Sequence, residues 1–542
     1  MAKYIFVTGG VLSSLGKGIF SASLAKLLKS YGSNVSLMKI DPYLNCDAGT
    51  LNPFEHGEVF VTQDGFECDL DIGNYERYLD VFAKKEQNLM MGSVYKSIIE
   101  KERHGDYLGK TIQLIPHATN EIKSRIKQAA KTTNCQILII EIGGTVGDIE
   151  SDVVLEAARQ MKFEEEAENV SFFHLALVPT ITTGEVKTKP IQHSTKSLLS
   201  RGITPDFLVA RCDKPLTNSA KEKIAVFCNV REENVLHSPT VFSIYQLPYV
   251  LAEQQVHSKL SKRMNFELSE NSTDKWAPLI EKQKQLSKEK QEVRIAVIGK
   301  YATSKDAYMS VFESLEHCAI NCNVKLVADL IDSESLEKGK TNLEDYDGIL
   351  VPGGFGGRGV EGKIQSVKYA RENQVPYLGI CYGLQIAIIE SARNLLNYFD
   401  ANSTEIDQNT THPVIDILPE QKSIGNLGGT MRLGGFDVAI TPNTLAHSLY
   451  HSEKIFKRFR HRYEINPEYV SEFTKSGWIF SGKDPVRTIM KIGELNGHPF
   501  FVGTQAHPEF DSRLDNPEPL YLGFVNAAKE YKNKKIKNER QP

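Results

Sequence analysis

No stretch of this 542-residue chain approaches the ~18 consecutive apolar residues that a membrane-spanning helix needs, so a helical integral membrane protein is excluded. Cysteine is scarce as well. Eight in so long a chain do not make a disulfide framework, and Cys318 and Cys322, spaced i,i+4, have no second pair to complete a zinc site. All but about one of the cysteines are expected to be packing residues in a reducing compartment. An excess of charge is also missing: 64 Lys and Arg against 68 Asp and Glu leave a net charge of -4. That balance argues against a dedicated nucleic-acid binder and leaves nucleotides open as substrates. There is no internal repeat. Near the N-terminus, the apolar run Tyr4 to Val7 stops at Thr8-Gly9-Gly10 without a cleavage-like site. We therefore expect no leader, no membrane and a cytoplasmic location.

What is present is an ordinary globular composition, 41% hydrophobic and 24% charged, in a chain too long for one core. Short β-rich runs (Tyr4–Val7, Asn34–Lys39, Gln136–Ile142, Phe172–Val178, Phe207–Ala210) alternate with helical patterns such as Ile19–Tyr31. Uninterrupted apolar strands between helices predict a parallel sheet covered on both faces. The pattern breaks after Asn265, and Glu281–Glu292 is a dense run of Lys, Glu and Gln that reads as a solvated linker helix. A second α/β series opens at Ile295–Ile298 and continues through Val324–Ile331, Gly348–Val351 and Tyr377–Ile380. The expectation is two doubly wound α/β domains, residues 1–266 and 293–542, joined by a linker at 267–292. The basic tail from Lys529 is expected to fray.

In the first half, a strand runs through Thr8-Gly9-Gly10 and Ser13-Ser14-Leu15-Gly16-Lys17-Gly18 into a helix. Strand, glycine-rich loop, lysine and helix N-terminus make a phosphate cradle: backbone N–H groups point inward and Lys17 reaches the phosphates. The match to G-x-x-x-x-G-K-[ST] is imperfect, because Gly10 lies one position early and Gly18 replaces the hydroxyl residue that usually touches Mg²⁺. The metal must then be held elsewhere. Asp71, in Asp69-Leu70-Asp71, and Glu141, at the end of an apolar strand, are the candidates, since ligands gather at the carboxyl ends of parallel strands. Asp41-Pro42-Tyr43, Gly143 to Ser151 and Lys187 to Ser194 add more polar groups at strand ends than one nucleotide requires.

In the second half, the strand Tyr377–Ile380 ends at Cys381 within Gly379-x-Cys381-x-Gly383. This fits a nucleophile elbow, with a cysteine whose thiolate is favoured by the helix N-terminus that follows. Gln505-Ala506-His507-Pro508-Glu509 supplies a base, His507, and Glu509 to hold its imidazole. Pro352-Gly353-Gly354-Phe355-Gly356 follows another strand, and its N–H groups can form an oxyanion hole with the amide of Tyr382.

Cys381 in its glycine frame with His507-Pro508-Glu509 resembles class I glutamine amidotransferases. Tyr4 to Gly18, His56 to Thr62, Gly143 to Ser151 and Lys187 to Ser194 narrow this to the CTP synthase family, over essentially the whole chain. The resemblance implies a P-loop-like, dethiobiotin-synthetase-like amidoligase domain followed by a flavodoxin-like amidotransferase domain. It implies that ATP phosphorylates O4 of UTP, and that ammonia released from L-glutamine passes through an internal tunnel and displaces the phosphate. By matching position it assigns Ser14, Leu15, Gly16, Lys17, Gly18, Ile19, Lys39, Asp71 and Val241 to ATP, and Asp71 and Glu141 to Mg²⁺. Ser13, Asp148, Ile149, Glu150, Lys187, Thr188, Lys189, Pro190, Ile191, Gln192 and Lys223 fall to UTP or CTP. Gly353, Tyr382, Gly383, Leu384, Gln385, Glu405 and Arg462 fall to glutamine. No organic prosthetic group is implied. GTP as activator, CTP as feedback inhibitor and a homotetramer are. The chain departs from the usual pattern at Tyr382, Leu384, Ala506, Asn402, Ile191 and Asn74. Two other readings stay open: an ATPase that amidates a carboxylate, and an inactive relative that polymerises. The second is expected to have lost Lys17, Cys381 or His507, and all three are present.

Overall fold

A computed structural model describes residues 2–12, 15–182, 184–269, 275–301, 304–417 and 431–539, so Ser13 and Ser14 lie outside the described residues. The chain forms two compact units, Met1–Leu51 with Cys68–Ile280, and Asn52–Glu67 with Glu281–Pro542.

The first unit is built on seven strands: β1 (Lys3–Gly10), β2 (Val35–Asp41), β3 (Asn88–Met90), β4 (Ile137–Ile142), β5 (Val170–Leu177), β6 (Phe207–Cys212) and β7 (Val235–Pro239). They lie in the order β3-β2-β4-β1-β5-β6-β7, and every pairing is parallel. Every residue of β2 and β4 is buried, which is why both carry apolar side chains on both faces rather than alternating. Helices α1 (Lys17–Ser30), α2 (Leu70–Leu79) and α3 (Lys189–Leu199) start at the carboxyl-terminal side of the sheet or pack beside it. The Lys-, Glu- and Gln-rich run Glu281–Glu292 is mostly exposed and is helical as far as Leu286, in a helix that begins before it at Trp276. Trp276 is buried and meets Tyr78 and Tyr245 edge-on.

The second unit has nine strands in one sheet: β8 (Glu292–Gly299), β9 (Lys325–Asp332), β10 (Gly348–Val351), β11 (Tyr377–Ile380), β12 (Arg432–Ile440), β13 (Lys454–His461), β14 (Trp478–Lys483), β15 (Met490–Leu495) and β16 (Phe501–Thr504). The order is β9-β8-β10-β11-β16-β15-β14-β12-β13. The first five are mutually parallel, and the remaining pairings are antiparallel. Helices α4 (Met309–Cys322), α5 (Val360–Glu372) and α6 (Tyr382–Leu395) cover the parallel half. The segment Asn52–Glu67 belongs to this unit. Glu58 accepts from the backbone N–H of Ser310 at 2.9 and 3.0 Å near the start of α4. Arg458 donates to the Val61 carbonyl at 2.9 Å, and Arg460 pairs with Glu67 at 2.7 Å. Among the described residues the basic tail from Lys529 is helical, through Glu539, and Lys529 Nζ donates to the Cys322 carbonyl at 2.9 Å.

Candidate active sites

In the first unit, β1 ends on Gly9-Gly10, and α1 starts at Lys17 after Gly16 in the left-handed region, φ +85°. Each glycine has a steric reason. A Cβ on Gly9 would sit 2.7 Å from Lys17 Cδ, one on Gly10 would overlap the Ser194 hydroxyl, and one on Gly18 would overlap Asp71 Oδ1. This last contact explains the departure from the usual phosphate loop. The carboxylate of Asp71, carried on α2, occupies the volume that a Ser or Thr side chain at position 18 would fill.

Lys39 and Glu141 are register partners near the carboxyl ends of neighbouring strands β2 and β4, and Lys39 Nζ lies 3.1 Å from Glu141 Oε1. It also pairs with Asp71, and lies 3.7 Å from Asp69 and 4.0 Å from Asp41. Tyr75, one helical turn after Asp71, donates its hydroxyl to the other Glu141 oxygen. Burial works against a charged Lys39, but Asp69, Asp71, Glu141 and Asp41 outweigh it and hold its pKa well above the lysine value. Burial lifts Asp41 to about 6 and Asp69 to about 7. Burial also pushes Asp71 upward, but Lys39 reverses that and leaves its pKa lowered, whereas burial and Asp71 raise Glu141. Lys17, lowered by burial, reaches across to the Gly144 carbonyl at 2.6 Å.

Gly10 lets α3 close on the loop through a directed chain of hydrogen bonds. The Thr8 hydroxyl donates to the Phe173 carbonyl, so it accepts from His174 Nδ1 at 2.8 Å, and His174 Nε2 accepts from Ser194 at 2.7 Å. Burial followed by the Lys17 charge lowers the His174 pKa to about 3, so the ring is neutral and Nε2 is left to accept.

In the second unit, Cys381 has φ 52° and ψ -97°, a strained turn between β11 and α6. The flanking glycines permit it: a Cβ on Gly379 would sit 2.7 Å from the Gly383 carbonyl carbon, and one on Gly383 would overlap the Val351 carbonyl. His507 Nδ1 pairs with Glu509 Oε1 at 2.7 Å. Burial disfavours the imidazolium, but Glu509 and then Cys381 outweigh it and raise the His507 pKa to about 10. A Cβ on Gly353 would come 2.7 Å from His507 Cε1, so the Gly353-Gly354 loop lies against the imidazole. Glu405 accepts from the Gly356 N–H at 2.9 Å, and the Tyr382 hydroxyl donates to the Gly356 carbonyl at 2.6 Å. Burial raises Glu405, opposed by that hydrogen bond and by the Lys300 and Arg462 cations. The Glu405 carboxylate thus lies in the field of two cations beside the Gly356 turn.

Residues 3–266 match the family description "CTP synthase N-terminus", and residues 303–527 match "Glutamine amidotransferase class-I". A CTP synthase of Archaeoglobus fulgidus is 50% identical over 98% of this chain and 99% of its own length. The chain belongs to the CTP synthase family. A CTP synthase of Thermococcus gammatolerans is 51% identical over 98% of this chain and 99% of its own. Among solved structures, the glutaminase domain of Trypanosoma brucei CTPS with bound acivicin is 38% identical over 44% of this chain and 94% of that one, with a TM-score of 0.42.

Of the residues that resemblance to CTP synthases assigns, Lys17, Gly18, Lys39, Asp71 and Glu141 are brought together at the carboxyl edge of the first sheet. Ile19 follows within the first turn of α1. Val241 follows β7 at the same edge. Asp148, Ile149 and Glu150 are exposed on a loop whose Gly147 approaches Ser197 of α3. Lys187 pairs with Glu185 at 2.6 Å, and the charge of Lys223, itself exposed, also reaches Glu185. Thr188 accepts from Gln192 at 3.0 Å, Lys189 is exposed on the first turn of α3, and Pro190 follows it. Ile191 turns its side chain into the core, where a residue of any polarity would be hidden from a ligand. Leu384 is likewise core, whereas Gln385 faces the cysteine side. Asn74 donates to Asp71 at 3.3 Å and accepts from Arg77, so that departure sits directly on the acidic cluster. Residues that sequence reasoning left without a role are Tyr75, Lys300 and Gln505. Tyr75 was detectable from its i,i+4 spacing to Asp71. Lys300 and Gln505 carry no signal without the fold.

Proposed function

We propose that this chain converts UTP to CTP with nitrogen from L-glutamine and energy from ATP, residues 1–266 forming the amidoligase and residues 293–542 the glutaminase. The observation that carries the reading is the coexistence in one chain of a phosphate loop facing Lys39, Asp71 and Glu141, and a Cys381–His507–Glu509 triad on a nucleophile elbow. Near full-length identity to proteins named CTP synthase supports it.

At the triad, the Cys381 sulfur attacks the carboxamide carbon of glutamine, and His507 gives its proton to the departing nitrogen, which leaves as ammonia. Water then attacks the thioester, releasing glutamate and restoring the thiol proton to the pair. Glu509 holds the imidazole, and N–H groups of the Gly353 loop and of Tyr382 donate to the oxygen on which charge develops. Gln385, Glu405 and Arg462 orient the amino acid.

At the ligase, the oxygen O4 of UTP takes the γ-phosphoryl group of ATP, making phosphate the leaving group. Ammonia then adds at C4, phosphate departs and CTP remains, with ADP as co-product. The loop from Ser14 to Ile19, with Lys17, Lys39 and Val241, holds ATP. Ser13, Asp148 to Glu150, Lys187 to Pro190, Gln192 and Lys223 hold the pyrimidine nucleotide. Asp71 and Glu141 offer hard oxygen donors where the loop lacks its hydroxyl, a set that fits Mg²⁺. Mg²⁺ bound there would neutralise triphosphate charge. GTP activation, CTP inhibition, a homotetramer and a cytoplasmic location complete the proposal. Among the described residues, no helix is long and apolar enough to cross a membrane.

The test follows CTP by absorbance, with UTP, ATP and Mg²⁺, in parallel runs with glutamine plus GTP and with ammonium chloride. CTP from both sources is expected. CTP from neither, in folded protein that binds ATP, overturns the reading.

A further inference from the structure

Gln505 is fully buried beside the cysteine, and its hydrogen bonds orient its amide. Gln385 Nε2 donates to the Tyr463 carbonyl at 2.9 Å and to Gln505 Oε1 at 3.3 Å. A backbone carbonyl can only accept, so it determines which end of the Gln385 amide is nitrogen. Gln505 must then present oxygen to Gln385 and nitrogen to its other neighbour. That neighbour is the Cys381 sulfur, 3.4 Å from Gln505 Nε2. Flipping either amide would set N–H against N–H or oxygen against oxygen.

The sulfur has a second polar neighbour of opposite character, the Arg460 carbonyl oxygen at 3.7 Å. A thiol can donate to that oxygen, while a thiolate is repelled by it. A thiolate can accept from Gln505, which offers a neutral thiol far less. The two groups therefore favour different protonation states of the same atom, and buried charge depends on such donors.

We propose that Gln505 is a catalytic residue of the glutaminase site: its Nε2–H donates to the Cys381 sulfur and holds it as the attacking thiolate, in the orientation imposed by Gln385 and the Tyr463 carbonyl. This rests on Cys381 being the nucleophile. The raised pKa of His507 agrees with it, because a thiolate beside the ring keeps the imidazolium.

The test uses the full chain with Gln505→Leu and Gln505→Met, which keep volume and remove the donor, each checked by a melting curve. Inactivation by iodoacetamide is followed against pH, and glutamine hydrolysis is resolved into kcat and KM. Loss of a hydrogen bond to a charged group is expected to slow alkylation about 10- to 100-fold at a fixed pH below the midpoint, to move that midpoint up by about one to two pH units, and to lower kcat similarly with KM nearly constant. An alkylation profile superimposable on that of the unmodified protein overturns the proposal. So does a rise in KM at constant kcat, which would make Gln505 a wall of the pocket. Cys381→Ala separates the two levels: glutamine hydrolysis persisting in that variant sinks the nucleophile assignment itself, whereas its loss together with an unshifted Gln505→Leu profile sinks only the role of Gln505.

Discussion

Lys39 and Glu141 are register partners on adjacent parallel strands, with Nζ 3.1 Å from Oε1, and both are buried. The lysine is the counter-charge for four carboxylates. Lys39→Met leaves them with Lys17 as the remaining nearby cation and is expected to cost about 3–5 kcal/mol in EDTA, the usual penalty for breaking a buried pair. Mg²⁺ should recover part of that loss. Denaturant melts with and without the metal check this, and an equal loss in both would remove Mg²⁺ from the site.

Gly18 and Asp71 share one volume. Gly18→Ser restores the hydroxyl of the common phosphate loop, yet it should lower ligase activity at least ~10-fold, because forcing Asp71 aside costs about 1–3 kcal/mol. Asp71→Asn should abolish CTP formation from both nitrogen sources while glutamine hydrolysis continues. Parallel assays of CTP and glutamate decide it.

Cys381→Ala is expected to remove glutamine-dependent synthesis and spare synthesis from ammonium chloride. Loss of both, in a variant with an unchanged melting curve, would contradict the assignment of the two chemistries to separate sites.

The His507 pKa is raised to about 10, above its value near 6.5 in an unfolded chain. A raised value stabilises the fold fully below about pH 6.5, and that contribution disappears as pH climbs through about 10. Glu509→Gln removes the largest favourable charge, so the alkaline limb of the melting profile should move to lower pH. Glu464 has the opposite sign. Burial opposes its ionisation, but the His461 ring N–H at 2.8 Å and the Lys491 ammonium at 2.8 Å lower its pKa to about 2; burial holds His461 itself down to about 4, so at neutral pH the lysine, not the imidazole, is the opposing charge. The Glu464 contribution is present above about pH 4.5 and lost as pH falls through about 2. Glu464→Gln should therefore destabilise the protein at neutral pH by about 3 kcal/mol, with the difference closing in acid.

Much of both units could be read from the chain itself. Gly348–Val351 and Tyr377–Ile380 appear as strands with the expected bounds, and the other predicted strands shift by a few residues. A fully buried parallel strand must be apolar along its whole length, and that pattern survives without tertiary information. The elbow was equally legible, because a strained cysteine turn demands glycine at fixed offsets. The anchor of the linker helix was not legible: Trp276, which lies just before the charged run, is buried against Tyr78 and Tyr245, and nothing in its local spacing marks that.

The sequence alone determined the strand pattern, the phosphate loop and the presence of Cys381, His507 and Glu509, since each follows from local spacing. Only the tertiary structure decided that Asn52–Glu67 packs with the C-terminal unit, that Asp71 occupies the missing hydroxyl's place, and that Gln505 turns its nitrogen to Cys381. Those facts depend on residues up to hundreds of positions apart meeting in space, and on which of two atoms an amide presents. Spacing along a chain carries neither.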